Sequence, residues 1–459
     1  MDLNIEYIYI LCSLYINDIG DDFMNNHMEI PWHEYTKKDS KVKIENASLT
    51  EKSSVIGRIG LMLLACGTGA WRVRSSMNTI ASELNITCIA DIGLTNISYT
   101  CIDGVESHAQ SLSLHNTSVN TSKLARMEDF VYHFKDECKT CTCNEIHNQL
   151  DQIESIHSSY SPIILGLAAA LACSCFTFLL GGGPIEMLCA FVGAGLGNTL
   201  RMKLIKHNYT LFLNVAASVS LACLAYALLF NLLEACFGIA TQHEAGYICS
   251  MLFIIPGFPF ITSGIDLAKL DLRSGLERLA YAIIIILAAT LTAWICALVL
   301  HLQPVDFVKL HIPTSAKLLL RLLTSFGGVF GFSIMFNSSK KIAASAGCIG
   351  AIANTLRLTL VDLSLPAAAA AFIGALTAGL LASMIKGNTG YPRIAITVPS
   401  IVIMVPGLYM YRAIYNLELT STMSIGANWF IQSFLIVLAL PMGLIFARIL
   451  TDPSFRYCT

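Results

Sequence analysis

Residues Leu279–Leu300 read LAYAIIIILAATLTAWICALVL, an apolar run without a charged side chain. About 20 apolar residues cross the hydrocarbon core of a bilayer, where the backbone must satisfy its own hydrogen bonds. The run is therefore a membrane-spanning helix. Its apolarity is continuous rather than alternating, which excludes a strand of a transmembrane barrel. Nine further runs of the same kind flank it: Pro162–Leu180, Ile185–Leu200, Tyr209–Leu233, Ala245–Ile265, Leu318–Phe336, Ile342–Leu356, Leu363–Ile385, Ile394–Tyr411 and Trp429–Ala447.

The chain of 459 residues is 55% hydrophobic and 13% charged, against about 25% charged in soluble domains. Its mean hydropathy is +0.63. The apolar excess starts at Ser161, and the residues before it have ordinary polar composition. The expected fold is mainly α: a polytopic membrane protein of ten transmembrane helices in two inverted five-helix repeats, preceded by a small soluble α+β domain. The expected divisions are an N-terminal extension over 1–54 that is open to disorder, a soluble cytoplasmic domain over 55–160, and helical repeats over 161–301 and 316–450. A net charge of −2 gives no reason to expect a nucleic-acid partner. Ile5–Ile16 is apolar and tyrosine-rich, but it follows Asp2 rather than a basic segment, unlike a secretory signal.

Lys and Arg collect in loops that face the cytoplasm. With the soluble domain inside, the inner loops and tail hold Arg201, Lys203, Lys206, Lys269, Arg273, Arg278, Lys340, Lys341, Lys386, Arg393, Arg448 and Arg456. The outer side holds Lys309, Lys317, Arg321, Arg357 and Arg412. Twelve against five predicts that both termini are cytoplasmic.

Two matches reveal an internal repeat. Asn198-Thr199-Leu200-Arg201 recurs as Asn354-Thr355-Leu356-Arg357, with Phe176 and Ala190 over Phe332 and Ala346. Ile255-Pro256-Gly257 recurs as Val405-Pro406-Gly407, with Leu267 over Leu417. Each match pairs a helix with the one five spans later. Because five is odd, the halves have opposite orientations, as in many secondary transporters.

The repeat also points to a site. Paired hydrophobic segments interrupted by Gly and Pro mark discontinuous helices that bind substrate near the bilayer midplane. Pro256, Gly257, Pro406 and Gly407 are such a pair, or else a pair of packing kinks. Asp266, beyond the first break, either carries a proton or a substrate ammonium, or pairs with Lys269 or Arg273 at the interface. Asn198 and Asn354 either bind ligand or bridge helices. Glu186 completes the candidates, and Arg357 and Asp362 are the other ionisable residues close to the membrane.

Of sixteen cysteines, Cys173, Cys175, Cys189, Cys223, Cys236, Cys249, Cys296 and Cys348 lie in apolar runs, where a thiol acts as a small hydrophobe. Cys138, Cys141, Cys143 and His147 have spacing open to zinc, but a second Cys-x-x-Cys pair is missing, and reduced thiols are the simpler reading. The Asn85, Asn96, Asn116 and Asn120 triplets are of a kind that chance supplies in so Asn-, Ser- and Thr-rich a segment. In the soluble domain, Ile56–Leu84 has helical spacing, broken around Gly67 and Gly69. Ile86–Ala90, Asn96–Ile102 and Ala109–Leu114 read as strands, and Met127–Phe134 and Ile146–Ser158 as helices. Arg72 either binds an anion or forms a salt bridge within the domain.

Gly60-Leu61-Met62-Leu63-Leu64, Gly67, Arg72-Val73, Met77 and Ile80-Ala81 together resemble the opening motif of the threonine/serine exporter family. So do Phe178 to Gly183, Pro256-Gly257 with Ile265-Asp266-Leu267, and Gly275 to Leu279. The second half resembles the smaller partner domain of that family through Phe332 to Asn337, Gly347 to Gly350, Ala371-Phe372 and Pro399 to Gly407. The resemblance covers about residues 55 to 450, in the fused form. It implies ten helices, a soluble N-terminal domain, and secondary active export of small amino acids such as threonine and serine across the plasma membrane. The partners it implies are an amino-acid substrate, the bilayer and a coupling proton or other ion, with homo-oligomerisation open and no cofactor. The chain departs from the family at Gly69, Arg74 and Ser75, where acidic residues usually surround the motif arginine, and at Ile265, where an arginine usually stands.

Two other classes remain as alternatives, a membrane-bound hydrolase and a passive small-solute channel. Against the hydrolase, the chain has no Gly-x-Ser-x-Gly, His-Glu-x-x-His or phosphate loop. Cys101, Asp103 and His108 are merely close in sequence.

Overall fold

The computed structural model describes residues 30–36, 41–114, 117–156, 159–238, 246–302, 307, 312–389, 392–418 and 422–456. Ile5–Ile16, Asn116 and Lys309 lie outside the described residues.

The N-terminal α+β domain, the expected soluble domain, opens with α1 (Leu49–Ala65) and α2 (Ala70–Glu83). The start of α1 is set by a capping box, in which Ser48 and Glu51 satisfy each other's backbone amides. Gly67, at φ +79°, turns the chain between the two helices. Strands β1 (Thr87–Ile92), β2 (Asn96–Asp103) and β3 (Glu106–Ser113) follow as an antiparallel sheet in sequence order. Cys88, Ala90 and Ile92 on β1 and Ile97, Tyr99 and Cys101 on β2 alternate inward, β1 onto α2 and β2 onto α1. A Cβ on Gly57 would lie 2.1 Å from the Tyr99 hydroxyl, so only glycine lets the sheet approach this closely.

Two helices, α3 (Thr121–Glu137) and α4 (Cys143–Glu154), complete the domain. Parts of the preceding extension pack on it: Trp32 and Ile44 are buried, and Lys43 bridges to Thr142.

Beyond Ser161 the chain is helical. The first half holds α5 (Pro162–Leu179), α6 (Pro184–Lys206), α7 (Leu211–Phe237), α8 (Tyr247–Ser250), α9 (Gly257–Ala268) and α10 (Leu272–Val299). The second holds α11 (Thr314–Met335), α12 (Lys340–Asp362), α13 (Ala367–Thr389), α14 (Arg393–Val402), α15 (Gly407–Glu418) and α16 (Met423–Thr451). Among the described residues seven of these helices are long and apolar enough to cross a membrane. Two bent pairs, Tyr247–Ile254 with Gly257–Ala268 and Arg393–Val402 with Gly407–Leu417, raise the number to nine. The chain is therefore a multi-pass membrane protein. Helix α6 has the length of a span, but Glu186, Asn198 and Arg201 lower its hydropathy and it is not among the nine.

The packing order recurs between the halves. Helix α5 packs on α6 as α11 packs on α12, α7 on α10 as α13 on α16, and α9 on α10 as α15 on α16. Helices α5 and α11 join the two halves.

Candidate transport site and domain junction

Proline has no amide to donate and its ring clashes with the preceding helical turn, so a helix breaks where Pro meets Gly. The two breaks are bent by 52° and 49°. In each, the glycine amide turns back on the near carbonyl: Gly257 N donates to Ile255 O at 2.8 Å, and Gly407 N to Val405 O at 2.9 Å. The breaks also face each other. A Cβ on Gly257 would lie 3.1 Å from Val402 Cγ1, and one on Gly407 would lie 2.6 Å from Ile255 Cδ1. Between them is a small pocket lined by Phe176, Leu252, Ile255, Phe332, Val402, Val405 and Gly407. Phe176 and Phe332, and Ile255 and Val405, are the pairs matched by the sequence repeat. The two phenyl rings meet edge to face at 6.4 Å.

The shared Asn-Thr-Leu-Arg run supports these breaks from outside. Arg201 Nη1 donates to Phe253 O at 3.4 Å, and Arg357 Nη1 donates to Met404 O at 3.1 Å. Phe253 O is an acceptor that the break frees, since a regular helix would offer it the Gly257 amide. Sequence reasoning placed these arginines in loops or at the membrane edge and missed this role, although their place in the repeat carried the signal. The asparagines do something else. Asn198 Nδ2 donates to Leu165 O at 2.8 Å, tying α6 to α5, and Asn354 Nδ2 donates to Ser325 Oγ at 2.9 Å, tying α12 to α11.

Asp266 is fully buried near the end of α9, at the face that carries the soluble domain. Its Oδ2 accepts from the Ala70 amide at 3.2 Å and from Ser274 Oγ at 3.0 Å, and lies 3.2 Å from Arg278 Nε. Arg278 also donates to Gly67 O and Thr68 O, at 3.3 and 2.7 Å. The ion-pair partner is thus neither of the two expected cations. Lys269 Nζ donates instead to Phe455 O, and Arg273 pairs with Asp91 and Glu277. The chain reverses at Leu270, φ +64°, which brings the first turns of α10 back over Asp266. The junction is extended by Glu277, which accepts the Leu94 amide, and by Thr121 and Ser122, which bond to Phe336–Ser338.

A family model described as "Putative threonine/serine exporter" matches residues 54–300, and one described as "Threonine/Serine exporter, ThrE" matches 321–450. The chain belongs to the threonine/serine exporter family. A "Probable threonine/serine exporter" of Mycobacterium tuberculosis (strain ATCC 25618 / H37Rv) is 21% identical over 418 residues, which is 87% of this chain and 76% of that protein. No solved structure matches. In this exporter-family chain the first matched segment takes in the soluble domain with α5–α10, and the second takes in most of α11–α16.

The other singled-out residues of this exporter-family chain have local roles. Glu186 is buried and accepts the Gly183 amide at 2.9 Å, closing the N-terminus of α6. Asp362 pairs with Lys317 and Arg321. Arg72 pairs with Glu128 at 2.6 Å. Cys138, Cys141 and Cys143 donate to Gln149, to Glu137 O and to Glu51 O, and His147 Nε2 lies 3.1 Å from Ser54 Oγ. Among the described residues no three His, Cys, Asp or Glu side chains are placed to hold a metal. Burial pushes the Cys138 and Cys143 thiols up to about 12. Burial, with the charge of Arg58 beside it, holds His147 down to about 3. Cys101 stands opposite His108 in the sheet register, while Asp103 faces Lys52 at 3.9 Å.

Proposed function

We propose that this chain is a secondary active transporter that exports small amino acids such as threonine and serine across the plasma membrane. The observation that carries the reading is the mutual packing of the two broken helices, Gly257 against Val402 and Gly407 against Ile255. Discontinuous helices facing each other near the midplane are the substrate-holding device of inverted-repeat transporters. Family membership and the name of the mycobacterial relative support the substrate class.

In this reading α6 is the tenth span, and the two five-helix halves are inverted. The soluble domain meets the end of the fourth span at Asp266 and lies beside the start of the ninth at Arg393, which supports opposite directions for the paired spans. The soluble domain and the C-terminus are cytoplasmic, in keeping with the Lys and Arg bias. Substrate passes between the breaks, with Pro256, Gly257, Pro406 and Gly407 offering backbone groups to it. A proton or another ion supplies the drive.

The test is efflux from proteoliposomes loaded with threonine or serine, with and without an imposed ion gradient. Gradient-dependent export above protein-free liposomes is the expected result. Equal leakage of both amino acids from loaded and protein-free liposomes overturns it. Flux that only follows the solute gradient assigns a channel.

A further inference from the structure

We propose that Arg393 and Arg448 form a carboxylate-binding site on the soluble-domain side of the membrane helices. It is the first station for the α-carboxylate of the exported amino acid. The inference rests on the exporter reading and deepens it.

Arg393 is the first residue of α14 and is buried. Its guanidinium head is held in place by Gly379 O and Thr451 Oγ1, each at 2.9 Å. Neither partner is charged, and among the described residues no carboxylate forms an ion pair with Arg393. Arg448 lies between the faces of Trp71 and Phe455, 4.4 Å from each ring centroid. Its acidic partner is Asp452, at 3.6 Å, and its Nε is buried without a hydrogen bond among the described residues. Arg72, over the same Trp71 ring, is already matched by Glu128. Among the described residues Asp452 is thus the one carboxylate paired with either guanidinium. A planar guanidinium fork fits a carboxylate in two parallel bonds.

The surroundings suit an amino acid and not merely an anion. Both arginines line one small pocket that is partly open to solvent. Thr397 supplies a hydroxyl there, and Ile265, Ile394 and Leu444 supply apolar wall for a short side chain. The N-terminus of α14 adds partial positive charge. The same helix runs on to the second break, so a carboxylate captured here lies at the start of the element that ends at Val402, just before that break. Phe455 lines the same pocket. Its ring stacks edge to face on Trp71 at 5.5 Å, and its carbonyl is held by Lys269 Nζ at 2.6 Å. In the proposal the short Pro453–Arg456 turn, which carries Phe455, narrows the way in.

The experiment measures threonine transport and binding on the full chain. Arg393→Gln and Arg448→Gln should each raise KM for threonine presented on the soluble-domain face at least tenfold, with the maximal rate within twofold. Arg→Lys at either position should recover part of the loss. L-threonine should raise the thermal midpoint of the wild type in detergent, while L-threoninol, with CH2OH in place of the carboxylate, should not. Wild-type KM in both glutamine variants, or equal stabilisation by threoninol, overturns the site. Equal stabilisation by acetate or phosphate overturns the substrate assignment and leaves a general anion site. If the glutamine variants do not fold, Phe455→Ala decides: removing the ring should lower KM at least threefold, and an unchanged KM overturns the proposal. If the wild type transports neither threonine nor serine, the exporter reading fails, and the threonine–threoninol comparison still decides whether the arginines bind a carboxylate.

Discussion

Asp266 accepts the backbone amide of Ala70 at 3.2 Å, so a carboxylate on a membrane helix caps a helix of the soluble domain. Helix N-termini leave unpaired amides and attract negative charge, and Asp266 meets both needs for α2. Gly69 is the residue that permits it, since a Cβ there would lie 2.6 Å from Asp266 Oδ1. The departure from the family pattern at Gly69 thus has a structural counterpart: a larger residue would push this carboxylate away. Of the two readings open for Asp266, a coupling group or half of an interfacial ion pair, its neighbours match the second, with Arg278 as the partner in a joint between domains.

Asp266→Ala should therefore destabilise the whole chain. It leaves Arg278 buried without its ion-pair partner, and breaking a buried pair from one side costs about 3–5 kcal/mol. The Gly67–Gly69 turn should become sensitive to limited proteolysis, and the thermal midpoint should fall. An unchanged midpoint with a changed KM alone would show that Asp266 acts on substrate rather than on the joint.

Arg201→Gln and Arg357→Gln probe the support of the breaks. Each removes a charged donor from a backbone carbonyl, a bond of about 1.5–3 kcal/mol. Transport should drop by tenfold or more in both, with normal membrane insertion, because the two arginines hold equivalent places in the repeat. A strong effect in one and none in the other would dissolve the symmetry argument.

Much of this architecture was legible because side-chain period reports burial. The strands expected at Ile86–Ala90, Asn96–Ile102 and Ala109–Leu114 match β1, β2 and β3 to within three residues at each end, since inward Cys88, Ala90, Ile97 and Tyr99 alternate with outward residues. The start of α1 was not legible. Helical spacing reads only from Ile56, with 1–54 as an extension, yet Lys52, Ser53 and Ser54 are buried in α1, and Lys52 Nζ donates to Leu84 O, a contact made only in the folded domain. The Pro-Gly breaks were legible because Pro removes an amide wherever it stands. The partner of Asp266 was not, because it depends on how the chain reverses at Leu270.

His147 makes the soluble domain sensitive to acid. It is fully buried between Ser54 and Arg58, its pKa about 3, while an unfolded histidine titrates near 6.5. The unfolded chain takes up the proton first, so the contribution is complete above pH ~6.5 and is lost progressively as pH falls towards 3. The slope is at most about 1.4 kcal/mol per pH unit. The thermal midpoint of the wild type should decline over that window, and His147→Gln should flatten the decline. A parallel decline in the variant would assign the acid sensitivity to other groups.

The paired breaks give the sharpest test of the transport site. Replacing Pro256 and Gly257 by alanine restores an amide donor and a good helix former, intrinsically favourable by roughly 1–3 kcal/mol per residue. The new Cβ at 257 would meet Val402 Cγ1 at 3.1 Å and Val405 Cγ2 at 3.3 Å, contacts that shifts of a few tenths of an ångström relieve. At 407 the new Cβ would meet Ile255 Cδ1 at 2.6 Å and Leu252 Cδ2 at 2.9 Å, so two side chains must move. Overpacking of this kind costs about 1–3 kcal/mol, comparable to the helical gain. Both double variants should therefore insert and keep a midpoint near that of the wild type, with the Pro406/Gly407 variant the lower of the two. A regular helix would also return the Phe253 carbonyl to its own ladder and leave Arg201 without its acceptor. Transport should be largely abolished in each variant, at near-normal stability. Wild-type transport in both would make the breaks packing kinks and move the substrate path elsewhere.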